Sequence, residues 1–98
     1  MIPMVSASLV RLHLRIRGRV QGVGYRYFAV QKAHDLALTG WVRNASDGNV
    51  ECEIQGPKEK VEELVIQLKR NHPWARVEEM LEENIPAKNG EKGFEVRY

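Results

Sequence analysis

At 98 residues, with a single cysteine and a net charge of +2, the chain has room for one hydrophobic core, no internal disulfide and no Cys or His pair at a zinc-ligand spacing. No stretch is long and apolar enough to cross a bilayer, and the first residues lack the basic start and apolar run of a signal peptide. The expectation is a cytoplasmic protein with no membrane partner, no metal and no cofactor.

The charge is uneven. Residues 1–48 hold seven Lys/Arg against two acids, and residues 49–98 hold eight against eleven. An excess of positive charge in the first half suits an anionic ligand, and it is equally open to neutralisation by the second half within one fold.

Residues 1–8 read as a flexible N-terminal arm and 9–98 as the folded domain. From Leu9 to Arg17 apolar and polar residues alternate, with Val10, Leu12, Leu14 and Ile16 on one face and Arg11, His13, Arg15 and Arg17 on the other: a half-buried strand. After a glycine-rich segment, Gly18 to Gly24, the apolar residues Tyr25, Phe28, Ala29, Ala33 and Leu36 recur at helical spacing and predict a helix over 25–36.

Trp41–Asn44 and Asn49–Ile54 flank an Asp47-Gly48 pair, the signature of an antiparallel hairpin. Gly56-Pro57 opens a second helix, with Pro57 expected at its first position and Val61, Leu64, Val65 and Leu68 as its buried stripe. A fourth strand is expected around Arg76–Leu81, where Val77 and Met80 break the period of two, as a bulge does; Glu82 and Glu83 read as solvated. Phe94–Tyr98 alternates again as a short last strand. The fold class is α+β: a ferredoxin-like β-α-β-β-α-β sandwich, its antiparallel sheet carrying two helices on one face and a short extra C-terminal edge strand.

Many unrelated functions use that architecture, so function has to come from a site. The segment Gly18 to Gly24 joins a strand end to a helix start, where the first helical N–H groups lack partners and the macrodipole is positive. Gly22 and Gly24 allow positive φ, which turns successive N–H groups inward to cradle an anion. The motif is neither a P-loop, since no Gly-Lys-Ser/Thr follows, nor a dinucleotide fingerprint, since Tyr27 stands where a third glycine belongs; the ligand implied is smaller than a nucleotide. A glycine-rich turn can also be purely structural. Arg26 bears on the choice, because a cation in the first helical turn is disfavoured by a few tenths to about 1 kcal/mol, and an anion placed between it and the helix reverses the sign. An arginine reaching away to solvent or a carboxylate is the other possibility.

Gly18-Arg19-Val20-Gln21-Gly22-Val23-Gly24-Tyr25-Arg26, followed by Gly40-Trp41-Val42-Arg43-Asn44-Ala45-Ser46-Asp47-Gly48, resembles the two signatures of the acylphosphatase family, and Gly93 to Tyr98 resembles its closing strand. The resemblance implies hydrolysis of the carboxyl-phosphate bond of acyl phosphates. In that scheme the backbone N–H groups of Gln21, Gly22, Val23, Gly24, Tyr25 and Arg26 cradle the phosphoryl oxygens, Arg26 neutralises them and Asn44 orients the attacking water. It also implies a monomer that meets a small acyl phosphate and releases orthophosphate as product and inhibitor. Phosphoryl transfer to water needs charge stabilisation and an in-line nucleophile more than covalent help, which fits motifs that offer no obvious nucleophile or general base. Two positions depart from the usual pattern: Tyr25, where phenylalanine is common, adds a hydroxyl that needs a partner, and Ala37, where a glycine often ends the first helix, costs about 1 kcal/mol if left-handed.

Elsewhere, Cys52 reads as a core residue, His13, His34 and His72 as surface residues without a base-and-partner arrangement, Asp47 as a turn residue, and Trp41 and Trp74 as packing anchors. The alternatives are non-catalytic modules of the same topology. An RNA-binding domain shares the element order, but its third strand is basic and aromatic, whereas Asn49, Glu51, Glu53 and Gln55 here are acidic or neutral and carry no ring, so no nucleic-acid partner is expected. A carbamoyl-phosphate-binding regulatory domain is usually part of a longer chain, and a chain of 98 residues favours the free-standing enzyme.

Overall fold

A computed structural model describes residues 9–98; the arm expected over 1–8 lies outside the described residues. The elements run β1 (Leu9–Arg19), α1 (Tyr25–Asp35), β2 (Thr39–Asn44), β3 (Val50–Pro57), α2 (Lys58–Arg70), β4 (Arg76–Ile85) and β5 (Phe94–Arg97). They build a five-stranded sheet in the order β4-β1-β3-β2-β5, with both helices packed on one face. β1 pairs antiparallel with β3 and β4, and β2 antiparallel with β3, as a ferredoxin-like sheet requires; β5 joins β2 in parallel.

Alternation in β1 sends Leu12, Leu14 and Ile16 into the core, where they meet Val50, Cys52 and Ile54 from β3, Val61, Leu64 and Leu68 from α2, and Tyr25, Ala29 and Ala33 from α1. Cys52 is fully buried, and burial pushes its thiol well above the ordinary range, so it stays a neutral packing group. α1 ends in a Schellman motif: Leu38 N–H bonds to Ala33 O at 2.9 Å and Ala37 N–H to His34 O at 3.0 Å. Ala37 takes the left-handed turn at φ 56°, a conformation that costs an alanine about 1 kcal/mol more than a glycine.

Three expectations change, and that of a bulge in β4 holds. Pro57 closes β3 and caps α2 at ψ 139°, an extended angle, so the helix starts at Lys58 and not at the proline. β4 runs on through Glu82 and Glu83 to Ile85, because β1 offers a ladder as far as the Arg11/Ile85 pair. The bulge is present: Gly18 faces Val77 while Arg17 faces Glu79, so Glu78 is the extra residue, and this brings Val77 and Met80 to the same, core-packed side. Trp74 is no packing anchor; it is 73% exposed and meets the His72 ring edge-on. Trp41 is buried, but on the helix-free face, between His13, Arg43 and Arg97.

That helix-free face is a field of paired charge. β3 lies between β1 and β2, so its acids meet basic side chains from both sides: Arg15 and His13 approach Glu51 at 3.5 and 3.2 Å, Arg43 bonds to the same carboxylate, and Arg11 holds Glu53 at 2.9 Å. The arginine stripe is neutralised across strands, which withdraws the positive surface an RNA-binding module needs. Arg11 is buried outright, because the segment before β5 folds over it: Glu91 accepts at 2.8 and 3.2 Å, and the Gln55 side chain bonds both Lys88 O and Lys88 N–H at 2.8 Å.

Candidate active site

The chain between β1 and α1 is bent by Gly22 and Gly24, at φ 76° and 75°. A Cβ on either would meet no atom within 4 Å, so the left-handed backbone, not crowding, demands glycine there. Gly24 is the N-cap of α1, no side chain caps it, and the first turn holds no acid. The first helical bond is Phe28 N–H to Gly24 O at 3.0 Å, which leaves the amides of Tyr25, Arg26 and Tyr27 without intrahelical acceptors at the positive end of the dipole.

The residues that carry these amides border a cavity of about 240 Å³. Gly22, Gly24, Tyr25 and Arg26 come to it from the loop and helix, Asn44 from the end of β2, and Val96 and Tyr98 from β5 and the chain end. Among the described residues no carboxylate lies within ion-pair distance of Arg26, and its Cζ sits 5.3 Å from the centre of the Tyr98 ring. Asn44 is half-buried, and its Oδ1 is buried with no hydrogen-bond partner among the described residues, a state that costs roughly 1–3 kcal/mol unless something polar completes it.

The remaining loop residues point elsewhere. The Tyr25 hydroxyl donates to Leu68 O at 2.8 Å and ties α1 to the end of α2; burial pushes its pKa up, so it stays protonated and committed to that contact. Val23 packs on the core, and the Gln21 side chain turns away toward the hairpin that follows Asn44. Asp47 is a turn residue, its carboxylate accepting from Asn49 N–H at 3.0 Å. His13 has an acidic neighbour after all, Glu51, but neither lines the cavity. His72 accepts from the amides of Trp74 and Ala75, and His34 contacts Phe94 O at 3.3 Å. Among the described residues no three His, Cys, Asp or Glu side chains gather as a metal site, and no helix is long and apolar enough to cross a membrane. A larger groove of about 430 Å³ between α2 and β4 has an apolar floor that includes Val61 and Val65 and a rim of Lys58, Glu62 and Glu82; it contains none of the loop.

Sequence reasoning missed Tyr98 and Val96 as cavity residues. The signal lay in the partner of β5: the parallel ladder with β2 pairs Val42 with Val96 and Arg43 with Arg97, and one step further brings Tyr98 to Asn44.

A family model described as acylphosphatase matches residues 12–96. An acylphosphatase from Bifidobacterium longum is 47% identical over 81 residues, covering 83% of this chain and 84% of its own. The crystal structure of acylphosphatase from Bacillus subtilis superposes with a TM-score of 0.86 at 32% identity, over 91% of this chain and 99% of that one. A crystal structure of full-length HypF in the phosphate- and nucleotide-bound form also matches, with a TM-score of 0.88 and 25% identity, over 98% of this chain and 13% of that chain. The chain belongs to the acylphosphatase family.

Proposed function

We propose that the chain is an acylphosphatase, an enzyme that hydrolyses acyl phosphates to a carboxylate and orthophosphate at the cavity between the Gln21–Arg26 loop and Asn44. The observation that carries this reading is the meeting, in one small cavity, of an arginine that has no carboxylate within ion-pair distance among the described residues, a helix start without a side-chain cap, and Asn44. The first two accept a dianionic phosphoryl group. The third is suited to hold a water beside it. The match to relatives along most of their length supports an enzyme over a regulatory module. The partner is a small molecule, without nucleic acid or membrane, and a cavity completed within one chain is consistent with a monomer; a cytoplasmic location belongs to the same proposal.

In this mechanism the loop amides and the Arg26 guanidinium hold the phosphoryl oxygens and stabilise the charge that spreads over them. Asn44 holds the water in line with the bond to the acyl oxygen. The water oxygen bonds to phosphorus and keeps one proton, the acyl oxygen leaves with its electron pair as carboxylate, and the other water proton passes to a phosphoryl oxygen, giving dihydrogen phosphate. A neutral amide positions water without removing its proton, so the substrate supplies the base.

The test is phosphate release from acetyl phosphate and benzoyl phosphate with a chelator present, wild type beside Asn44→Ala. The wild type is expected to turn over. The variant should bind orthophosphate in calorimetry with near-normal affinity yet lose about 10² or more in kcat, as when one preorganised hydrogen-bonding group is removed. A folded Asn44→Ala protein with substantial turnover would remove Asn44 from the mechanism, and a wild type without turnover would overturn the activity.

A further inference from the structure

Two side-chain hydrogen bonds join the phosphate loop to the hairpin after Asn44, and both come from one residue. Gln21 Nε2 donates to Ala45 O and to Asn49 O, each at 2.9 Å. Asn49 O also accepts from Ala45 N–H at 2.8 Å, and Asn44/Val50 is the last pair of the β2–β3 ladder. A single amide therefore ties both strand ends, at the residue next to Asn44, to the loop that carries Gly22, Gly24 and Arg26. Both acceptors are carbonyls, so only the NH₂ end of the side chain serves, and each of its two hydrogens is engaged.

The geometry points to Gln21 as a positioning residue: its side chain sets the separation between the Asn44 amide and the phosphate-holding amides, and so keeps the water held by Asn44 in line with the bond being broken. This rests on the reading of Asn44 given above. The Gln21 backbone N–H is among the amides proposed to hold the phosphate; its side chain does a separate task, acting through Asn44 without touching substrate. Displacement of a reacting group by 1 Å can cost about 10²-fold in rate, so a strut between the two halves of the site affects turnover more than binding.

Gln21→Met, close in length and unable to donate, and Gln21→Glu, which sets carboxylate oxygens against the two carbonyls, are compared with wild type for kcat, KM, orthophosphate affinity by calorimetry and melting temperature. We expect kcat to fall roughly 10- to 100-fold, with orthophosphate affinity changed by less than about threefold because the amides and Arg26 remain. In an Asn44→Ala background, Gln21→Met should reduce kcat by less than about twofold further, since the group it positions is gone. A merely stabilising side chain would lower the melting temperature and leave the kcat of the folded protein intact, and that result overturns the inference. So does a parallel loss of phosphate affinity and kcat, which would make Gln21 a shaper of the loop alone. If Asn44→Ala loses its rate and the two losses multiply, the role of Gln21 falls and that of Asn44 stands; if Asn44→Ala keeps its rate, both fall. Should Gln21→Met fail to fold, Gln21→Asn keeps the amide one methylene short of its acceptors and is expected to give the same split between kcat and affinity.

Discussion

The Arg11 side chain is fully buried and holds Glu53 at 2.9 Å, Glu91 at 2.8 Å and Gln55 at 3.1 Å, whereas Arg26, at the cavity, meets no carboxylate among the described residues. The helix starts differ in the same sense: α2 has Glu59 in its first turn, complementing the dipole, and α1 has Arg26, opposing it. Burial pulls the Arg11 guanidinium down, and the hydrogen bonds and charges of Glu91 and Glu53 more than offset this, so its charge is locked into the fold. One region has its charge satisfied from within, and the other has charge left for something from outside. Ion pairing, more than residue type, separates the structural arginine from the one proposed for chemistry.

The largest effect that would test this contrast is on Arg26. Arg26→Ala should cost ~10³ or more in kcat/KM, and Arg26→Lys should recover little, because an ammonium cannot reproduce the planar fork. Stability should hold or rise by a few tenths to about 1 kcal/mol, since a cation leaves the positive helix end. Turnover beside a denaturant melt reads both, and an alanine variant keeping a tenth of wild-type kcat/KM would dissolve the distinction.

Arg11→Met should do the reverse. Two largely covered carboxylates lose their partner, for a cost of about 3 kcal/mol, the low end of the range for broken buried pairs because Glu53 and Glu91 keep some exposure. The fraction that remains folded should turn over within about twofold of wild type. Urea unfolding midpoints and rates normalised to folded protein decide it; a large loss of rate in folded Arg11→Met would show that the two regions are coupled.

The smallest effect sharpens the picture through pH. The Arg11 hydrogen bond, opposed by burial and aided by the charges of Arg11 and Lys88, holds the Glu91 carboxyl below its ordinary value. A depressed folded pKa gives stability that is complete above the unfolded value and is lost as pH falls through the folded one. Melting temperature should therefore drop on acidification below ~4.3. Glu91→Gln should be less stable than wild type at neutral pH and converge with it in acid. A gap between the two that stays constant with pH would mean the ion pair contributes nothing.

Much of this was legible in the residues. Alternation placed β1 and its inward face, helical spacing placed α1 and α2, and Asp47-Gly48 placed the hairpin. For the candidate site, glycines at φ 76° and 75° and a cation at the wrong end of a helix were visible as local chemistry. What was hidden is non-local. Period two shows which side Arg11 faces but not that residues 88–91, far along the chain, will cover it. The parity of β4 was scrambled by the single extra residue Glu78, whose place depends on its pairing with β1. The Gln21 side chain looked like one more loop residue because its acceptors are backbone carbonyls, which leave no mark in a sequence.

Among the described residues β4 borders the sheet, with β1 on one side and no strand on the other. Ten residues of open edge invite a second chain to add a strand, the first step toward aggregation. Glu78, Glu79, Glu82 and Glu83 line this strand, and the bulge at Glu78 twists its start away from a flat template. Two β4 edges brought together would set carboxylates near carboxylates on both faces of the joint, offset in part by Arg17 beside Glu78 and Glu79 and by Lys69 beside Glu82. The residues that blurred the pattern of this strand thus keep its edge repellent to its own kind, which favours a protein that stays dispersed when crowded.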